Sequence, residues 1–204
     1  MFGIPTFDLS SDAGKQGFTE YIVNLVRKEI NSYTPSYNTS LSQETVTNNY
    51  YGAFADYTTQ TATSINTGYA MTFNTTDLSN GIVIGSSTSR ILFTHAGTYN
   101  VQWSGQFENT DSSDADVRVW FRINGVDVVG STGFFTVPAR HGNVNGTNLI
   151  GWNFILKLFA NDYVELYWST TDTDVTIKTY TASASPAYPS TASLILTAQQ
   201  ISTT

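Results

Sequence analysis

The sequence predicts an all-β fold: an antiparallel two-sheet jelly-roll sandwich, preceded by a short N-terminal helix and an extended arm. Three observations carry this expectation. In Gly97-Thr98-Tyr99-Asn100-Val101-Gln102-Trp103-Ser104-Gly105-Gln106-Phe107 a turn leads into a run whose apolar side chains fall on alternate positions, the period of a half-buried strand. Leu156 to Trp168 reads as two such strands joined through Ala160-Asn161-Asp162. The apolar spacing is helical before about residue 50 and turns to a period of two from Tyr50 onward. The chain therefore divides into residues 1–50, a docking or oligomerisation segment, and residues 51–204, a jelly-roll head.

In the first segment Phe18, Tyr21, Ile22, Leu25, Val26 and Ile30 recur at helical spacing, with Glu20, Asn24, Arg27 and Lys28 on the other faces. They predict an amphipathic helix over about 13–31. It is expected to end near Asn31-Ser32, because Pro35 disfavours helical geometry at Thr34, and the polar run to Asn49 reads as a linker or extended arm. So short a helix is marginal in water by itself. Its apolar stripe must be covered by the main domain, by copies of itself or by a partner.

The β segment offers strands at 52–62, 69–73, 81–85, 89–94, 98–107, 116–123, 126–130, 147–159, 162–169, 174–180 and 193–201, separated by Asn, Gly, Asp and Ser clusters. Parity proposes the inward faces. They are Tyr99, Val101, Trp103, Gly105 and Phe107 on one strand, and Val117, Val119, Phe121 and Ile123 on a second. On a third they are Ile150, Trp152, Phe154, Leu156 and Leu158. Asn124-Gly125 between two apolar runs signals a hairpin.

Composition narrows the function. The 204 residues are 40% hydrophobic, enough for a substantial core, and nine basic against sixteen acidic side chains give a net charge of −7. That charge repels phosphate backbones, so nucleic acid is not an expected partner. No cysteine is available for disulfides or thiolate metal sites. The first twenty residues do not read as a secretory signal and no run approaches a membrane span, so a soluble, unprocessed chain without membrane insertion is expected.

With these residues assembled, the segment from about Tyr51 to Ile201 resembles the jelly-roll head shared by complement component one, subunit q, and tumour-necrosis-factor-like proteins. Gly97-Thr98-Tyr99 matches that superfamily's Gly-x-Tyr strand, and Leu156 to Leu166 matches its Leu-x-Leu-x-x-x-Asp-x-Val-x-Leu element. The family usually has Gly before the Asp of that element; this chain has Asn161, which also tolerates a left-handed turn. More narrowly, Tyr51-Gly52-Ala53-Phe54, Thr59-Gln60-Thr61, Met71-Thr72-Phe73-Asn74, Leu78-Ser79-Asn80-Gly81-Ile82 and Trp152-Asn153-Phe154 look like the version found in structural proteins of tailed phages, especially those of marine cyanobacteria. The resemblance implies a homotrimer and a place on the virion surface as a capsid decoration, head fibre or tail-associated fibre, in contact with other capsid or tail proteins.

Few residues suggest chemistry. His95 lies at a strand-to-turn junction and His141 in a Gly- and Asn-rich loop, and neither sits in a nucleophile motif. No catalytic residue is assigned and no cofactor is expected. Asp111-Ser112-Ser113-Asp114-Ala115-Asp116 and Asp172-Thr173-Asp174 hold oxygens that could ligate calcium, but lack the spacing of an EF-hand loop. They are read as solvated hairpin connections and no metal site is assigned. Arg118, Trp120 and Arg122 alternate with Val117, Val119 and Phe121, so they are expected on the outward face of one strand. Trp and Arg are enriched in interface hot spots, which makes these three the expected subunit interface; the alternative is that the Arg stems merely cover an exposed Trp. Ile155 and Phe159, opposite in parity to Trp152 and Leu156, join that interface. The stretch from Phe134 through Asn148, with Arg140 and His141, is expected to be the longest irregular loop of the domain and a place for recognition.

The expectation is a non-enzymatic virion structural protein, trimeric through its heads and anchored by its N-terminal segment. The alternative is a free carbohydrate-binding module that meets a host surface glycan through Trp120 or the 134–148 loop. A glycosidase-like carboxylate pair comes third.

Overall fold

The structure is a computed structural model that describes residues 5–38 and 49–203, with side chains described for 5–29 and 49–203. The chain forms two compact units, Met1–Thr47 and Asn48–Thr204. The first contains helix α1, Asp12–Asn38. Ser11 caps it: its Oγ accepts from Gly14 N at 3.1 Å, satisfying one of the amides that the first turn leaves unpaired. Phe7 folds back onto the helix with its ring 5.6 Å from both Phe18 and Tyr21.

The helix runs past its expected end at Asn31-Ser32 and carries Pro35 within it. Pro35 removes one helical hydrogen bond and biases Thr34 away from the α region, but that bias is a preference which the flanking turns override here. The extended arm expected before Asn49 falls on 39–48, outside the described residues.

In the second unit the strands are β1 Tyr51–Asp56, β2 Gln60–Thr61, β3 Tyr69–Ala70, β4 Thr75–Asn80, β5 Ile82–Ile84 and β6 Ile91–Phe93. The long central strands follow, β7 Gly97–Asn109 and β8 Ala115–Ile123, then β9 Val126–Asp127, β10 Gly133–Val137, β11 Gly146–Leu158 and β12 Asp162–Thr170. The last are β13 Val175–Ile177, β14 Ser183–Ala184, β15 Ala187–Tyr188 and β16 Leu194–Ser202.

All pairings between these strands are antiparallel, and they make two sheets packed as a sandwich. One sheet has the central order β4-β1-β16-β7-β11, with β13 sharing an edge of β7 beside β16 and leading on to β2. The other has the order β10-β8-β12-β6-β5, with β3 against β12 and β9 against β8. The facing quartets β1-β16-β7-β11 and β6-β12-β8-β10 come from a chain that repeatedly crosses between sheets, the winding of a jelly roll.

The core lies between the quartets, and parity places most of it. Tyr99, Val101, Trp103 and Phe107 of β7 are buried, as are Val117, Val119 and Phe121 of β8. They meet Trp168, Leu166 and Phe54, each large apolar side chain contributing roughly 1.5–3 kcal/mol on leaving water. Asn124, at φ 52°, and Asn161, at φ 69°, occupy the left-handed turns that the hairpin signals required.

Several expected strands are cut or redrawn. The 52–62 run breaks after Asp56, because the buried Asp56 carboxylate pulls the chain round, accepting hydrogen bonds from Thr58 N at 2.6 Å, Thr72 Oγ1 at 3.1 Å and Asn74 Nδ2 at 3.0 Å. Only Tyr69–Ala70 of 69–73 forms a strand: Met71 N still donates to Leu166 O at 2.8 Å, but Phe73 N turns to Thr88 O at 2.9 Å, and both side chains are buried in the core. The expected loop from Phe134 to Asn148 contains β10, which pairs with β8 from Gly133↔Val119 to Val137↔Ala115. Trp152, assigned inward, is 44% exposed. It sits where the sandwich opens, between edge strands β10 and β11, against Gly133, whose position leaves 2.6 Å between an added Cβ and the indole.

Candidate functional site

The outward face of β8 carries Arg118, Trp120 and Arg122, as parity requires, and they form a network within their own sheet. The indole Nε1 of Trp120 donates to Asp127 Oδ1 at 2.9 Å, and the Arg122 guanidinium pairs with the same oxygen at 3.0 Å. Arg122 also donates to the Gly125 carbonyl and lies 4.5 Å above the Tyr167 ring, while Trp120 packs at 5.8 Å against Tyr167, its cross-strand neighbour. Gly68 closes the indole from another side, with only 3.1 Å between an added Cβ and the ring. Arg118 lies over Phe134, 5.4 Å from the ring centre. The half-buried Trp120 therefore has its polar atom and part of its ring already engaged.

Ile155 and Phe159 belong to the other sheet. Ile155 stands on the outward side of β11 and Phe159 follows its end, 66% and 68% exposed. The five residues expected to form one interface thus divide between two sheets, and β10 lies between them: Phe134, 70% exposed, is paired with Arg118 at one sheet's edge, next to β11 at the edge of the other.

Arg140 and His141 are exposed on a loop tied down by Arg140 N to Asp111 O at 2.7 Å and by a His141–Val144 bridge. The acidic loop is held the same way. Asp111 Oδ2 accepts from Ser113 N at 3.2 Å, Asp114 Oδ1 from Ala139 N at 2.7 Å, and Asp116 Oδ1 from Thr136 Oγ1 at 2.9 Å. Asp111 is thus a local turn acceptor, while Asp114 and Asp116 tie this loop to the 136–139 segment, and hydrogen bonding to the Ser112 backbone holds the Asp111 carboxyl below its usual range. Asp172 likewise accepts from Asp174 N at 2.9 Å. Among the described residues no three His, Asp or Glu side chains gather as a metal-holding group. His95 stacks flat on Tyr50 at 3.7 Å, with its Nδ1 2.8 Å from Thr94 Oγ1.

On α1, Phe18, Ile22, Leu25 and Val26 are exposed and Tyr21 is partly covered by Phe7, while the side chain of Ile30 lies outside the described residues. Among the described residues no helix is long and apolar enough to cross a membrane.

A polar cluster absent from the sequence reading centres on Glu108, 6% exposed. Its carboxylate pairs with Lys178 Nζ at 3.2 Å and accepts from the Tyr180 hydroxyl at 3.1 Å. Burial alone would raise this carboxyl, but hydrogen bonds from Asn145, Lys178 and Tyr180, with the lysine charge, outweigh it and hold it below its ordinary value. The tyrosine responds oppositely: burial and the facing carboxylate push it up to about 12, so it stays a neutral hydroxyl. Beside the cluster, Tyr180 and Tyr188 wall a groove of about 690 Å³ against the start of β11. The one signal in the sequence is two tyrosines in an otherwise small-residue run, Thr179 to Ser193.

No family model matches this sequence, and no curated protein matches it.

Proposed function

We propose that the chain is a non-enzymatic structural protein of a virion, a surface appendage of the capsid or tail, whose sandwich heads associate as a homotrimer and whose N-terminal segment anchors them. The observation that carries the assembly is strand β11. It has 13 residues, and among the described residues β7 is its only ladder partner, so its outer edge is free. Long, unpaired, apolar edges are association sites, and single soluble domains blunt them with charge, proline or cover. Here the edge exposes Trp152 and Ile155, with Phe159 beyond it and Phe134 on the neighbouring β10. An open slot of about 400 Å³ between the two edge strands, lined by Trp103, Phe135, Ile150 and Trp152 among others, provides a seat for a neighbouring head's side chain.

The exposed apolar residues of α1 support an anchoring role for the first unit, since a helix of this kind needs a partner surface. The virion assignment rests on the resemblance of the β segment to phage structural heads. A free carbohydrate-binding module built on Trp120 is less well supported, because that indole is engaged by Asp127 and Tyr167 and closed on another side by Gly68.

The test is the molecular mass of the full chain by light scattering, alone and as Ile155→Asp with Phe159→Asp, followed by peptide mass spectrometry of purified phage particles. The expected result is a trimer that the paired substitution dissociates, and a chain that co-purifies with particles. A monodisperse monomer that is absent from particles would refute the proposal.

A further inference from the structure

We infer that the groove between the start of β11 and the 180–191 segment is a binding site for a neutral saccharide. Its volume of about 690 Å³ suits one or two pyranose rings. Gln106, Thr147 and Leu149 line it from β7 and β11, and Tyr180, Tyr188 and Thr191 line it from the facing segment.

The chemistry of these walls selects the ligand. No Asp, Glu, Lys or Arg side chain lines the groove, and the nearby Glu108 and Lys178 are paired with each other. A phosphate, sulfate or carboxylate would lose its water with no cation to replace it. The polar groups that remain are largely acceptors. Gln106 spends its Nε2 on the Ala192 carbonyl at 2.6 Å, which fixes the amide and leaves Oε1 as its open atom. Tyr180 gives its proton to Glu108, so its oxygen is left to accept. Thr147 adds a hydroxyl with no protein partner among the described residues, and Thr191 Oγ1 receives Tyr180 N at 3.2 Å, leaving its own proton to donate. A ligand matching such a groove brings many hydroxyl donors, an uncharged ring and apolar C–H faces. A pyranose has all three, and Tyr188, 40% exposed, offers the ring plane on which a C–H face packs.

The site is also built. Tyr180 is anchored at three points, by Glu108 at its hydroxyl and by both backbone and side chain of Thr191, whose N donates to Tyr180 O at 2.9 Å. Tyr188 is held in the β14–β15 hairpin by its register with Ser183. The groove is lined by the first residues of β11 and lies at the opposite end of that strand from Ile155 and Phe159. The inference therefore stands or falls separately from the trimer.

The experiment is saturation-transfer NMR and calorimetry on the full chain with methyl glucoside, methyl galactoside, N-acetylglucosamine and maltotriose, and with glucuronate as the charged comparison. At least one neutral sugar is expected to bind at about millimolar affinity, more tightly than glucuronate. Tyr188→Ala is expected to weaken it about fivefold to tenfold, and Thr147→Arg, which fills the groove from an exposed position, to abolish it. Trp120→Phe should leave binding unchanged, and Tyr188→Ala and Thr147→Arg should keep the wild-type fold by circular dichroism. Failure of every neutral sugar to bind overturns the inference, as does binding that Trp120→Phe removes and Tyr188→Ala does not. If Tyr188→Ala instead lowers the oligomeric mass, the groove is a joint between copies and the saccharide assignment is wrong.

Discussion

Replacing Lys178 with Met keeps most of the side-chain stem and removes the ammonium that faces Glu108. The Glu108 side chain is 8% exposed and that of Lys178 is 35% exposed, so the carboxylate stays buried after its cation has gone. A hydrogen bond to a charged group contributes about 1.5–3 kcal/mol, and the partly open lysine places this one near the lower end, about 1.5 kcal/mol, because solvent screens it. For a sandwich of this size that corresponds to a fall in melting temperature of about 3–6 °C. The pH dependence is the more discriminating readout. In the wild type the Glu108 carboxyl is held low, so its contribution is complete above the unfolded-state value of about 4.3 and is lost as the pH falls through the lower folded value. Without the ammonium, burial pushes the folded carboxyl upward. The variant then loses least relative to wild type in acid, where the carboxyl is protonated in both proteins, and most at neutral pH. Thermal melts followed by circular dichroism between acid and neutral pH measure this directly. A Lys178→Met curve that coincides with the wild type, or a deficit independent of pH, would refute this account of the cluster.

Three further outcomes follow from the same structure. Asp56→Ala leaves Thr58, Thr72 and Asn74 without their charged acceptor and should cost about 3 kcal/mol or more in urea denaturation, whereas a loss within experimental error would show that the turn does not depend on it. Asn161→Ala should lose about 1 kcal/mol, because Ala resists the left-handed conformation, while Asn161→Gly should not; equal losses would place the role of Asn161 in its side chain. Gly68→Val should displace the Trp120 indole, seen as a shifted and faster-exchanging Nε1–H signal in nitrogen–proton NMR, and an unmoved signal would mean the ring is held by Asp127 alone.

The sandwich and the buried faces of β7 and β8 were legible in the sequence, because a period of two states which side chains share a face wherever a strand is covered along its whole length. The sequence also marked the turns at Asn124 and Asn161, where left-handed geometry has a local chemical signature. Its reading weakened where local preference met long-range packing. The helix passes Pro35, and Phe134-Phe135-Thr136-Val137 forms a strand against the edge of β8, a role its aromatic and β-branched composition favours but its short length and the Gly- and Asn-rich run after it obscured. Trp152 has the parity of a core residue yet stands half in water, since whether an edge strand is covered depends on how far the opposite sheet extends.

What surrounds each outward residue follows only from the folded chain. Trp120 is tied to Asp127 seven residues on, packed on Tyr167 across the sheet and covered by Gly68 from an earlier loop. Glu108 meets Lys178 and Tyr180 some seventy residues later, and the groove beside them joins side chains from three separate stretches. A one-dimensional pattern encodes the direction a side chain takes from its own strand. Its partners are set by strand order and register, which the whole core fixes together.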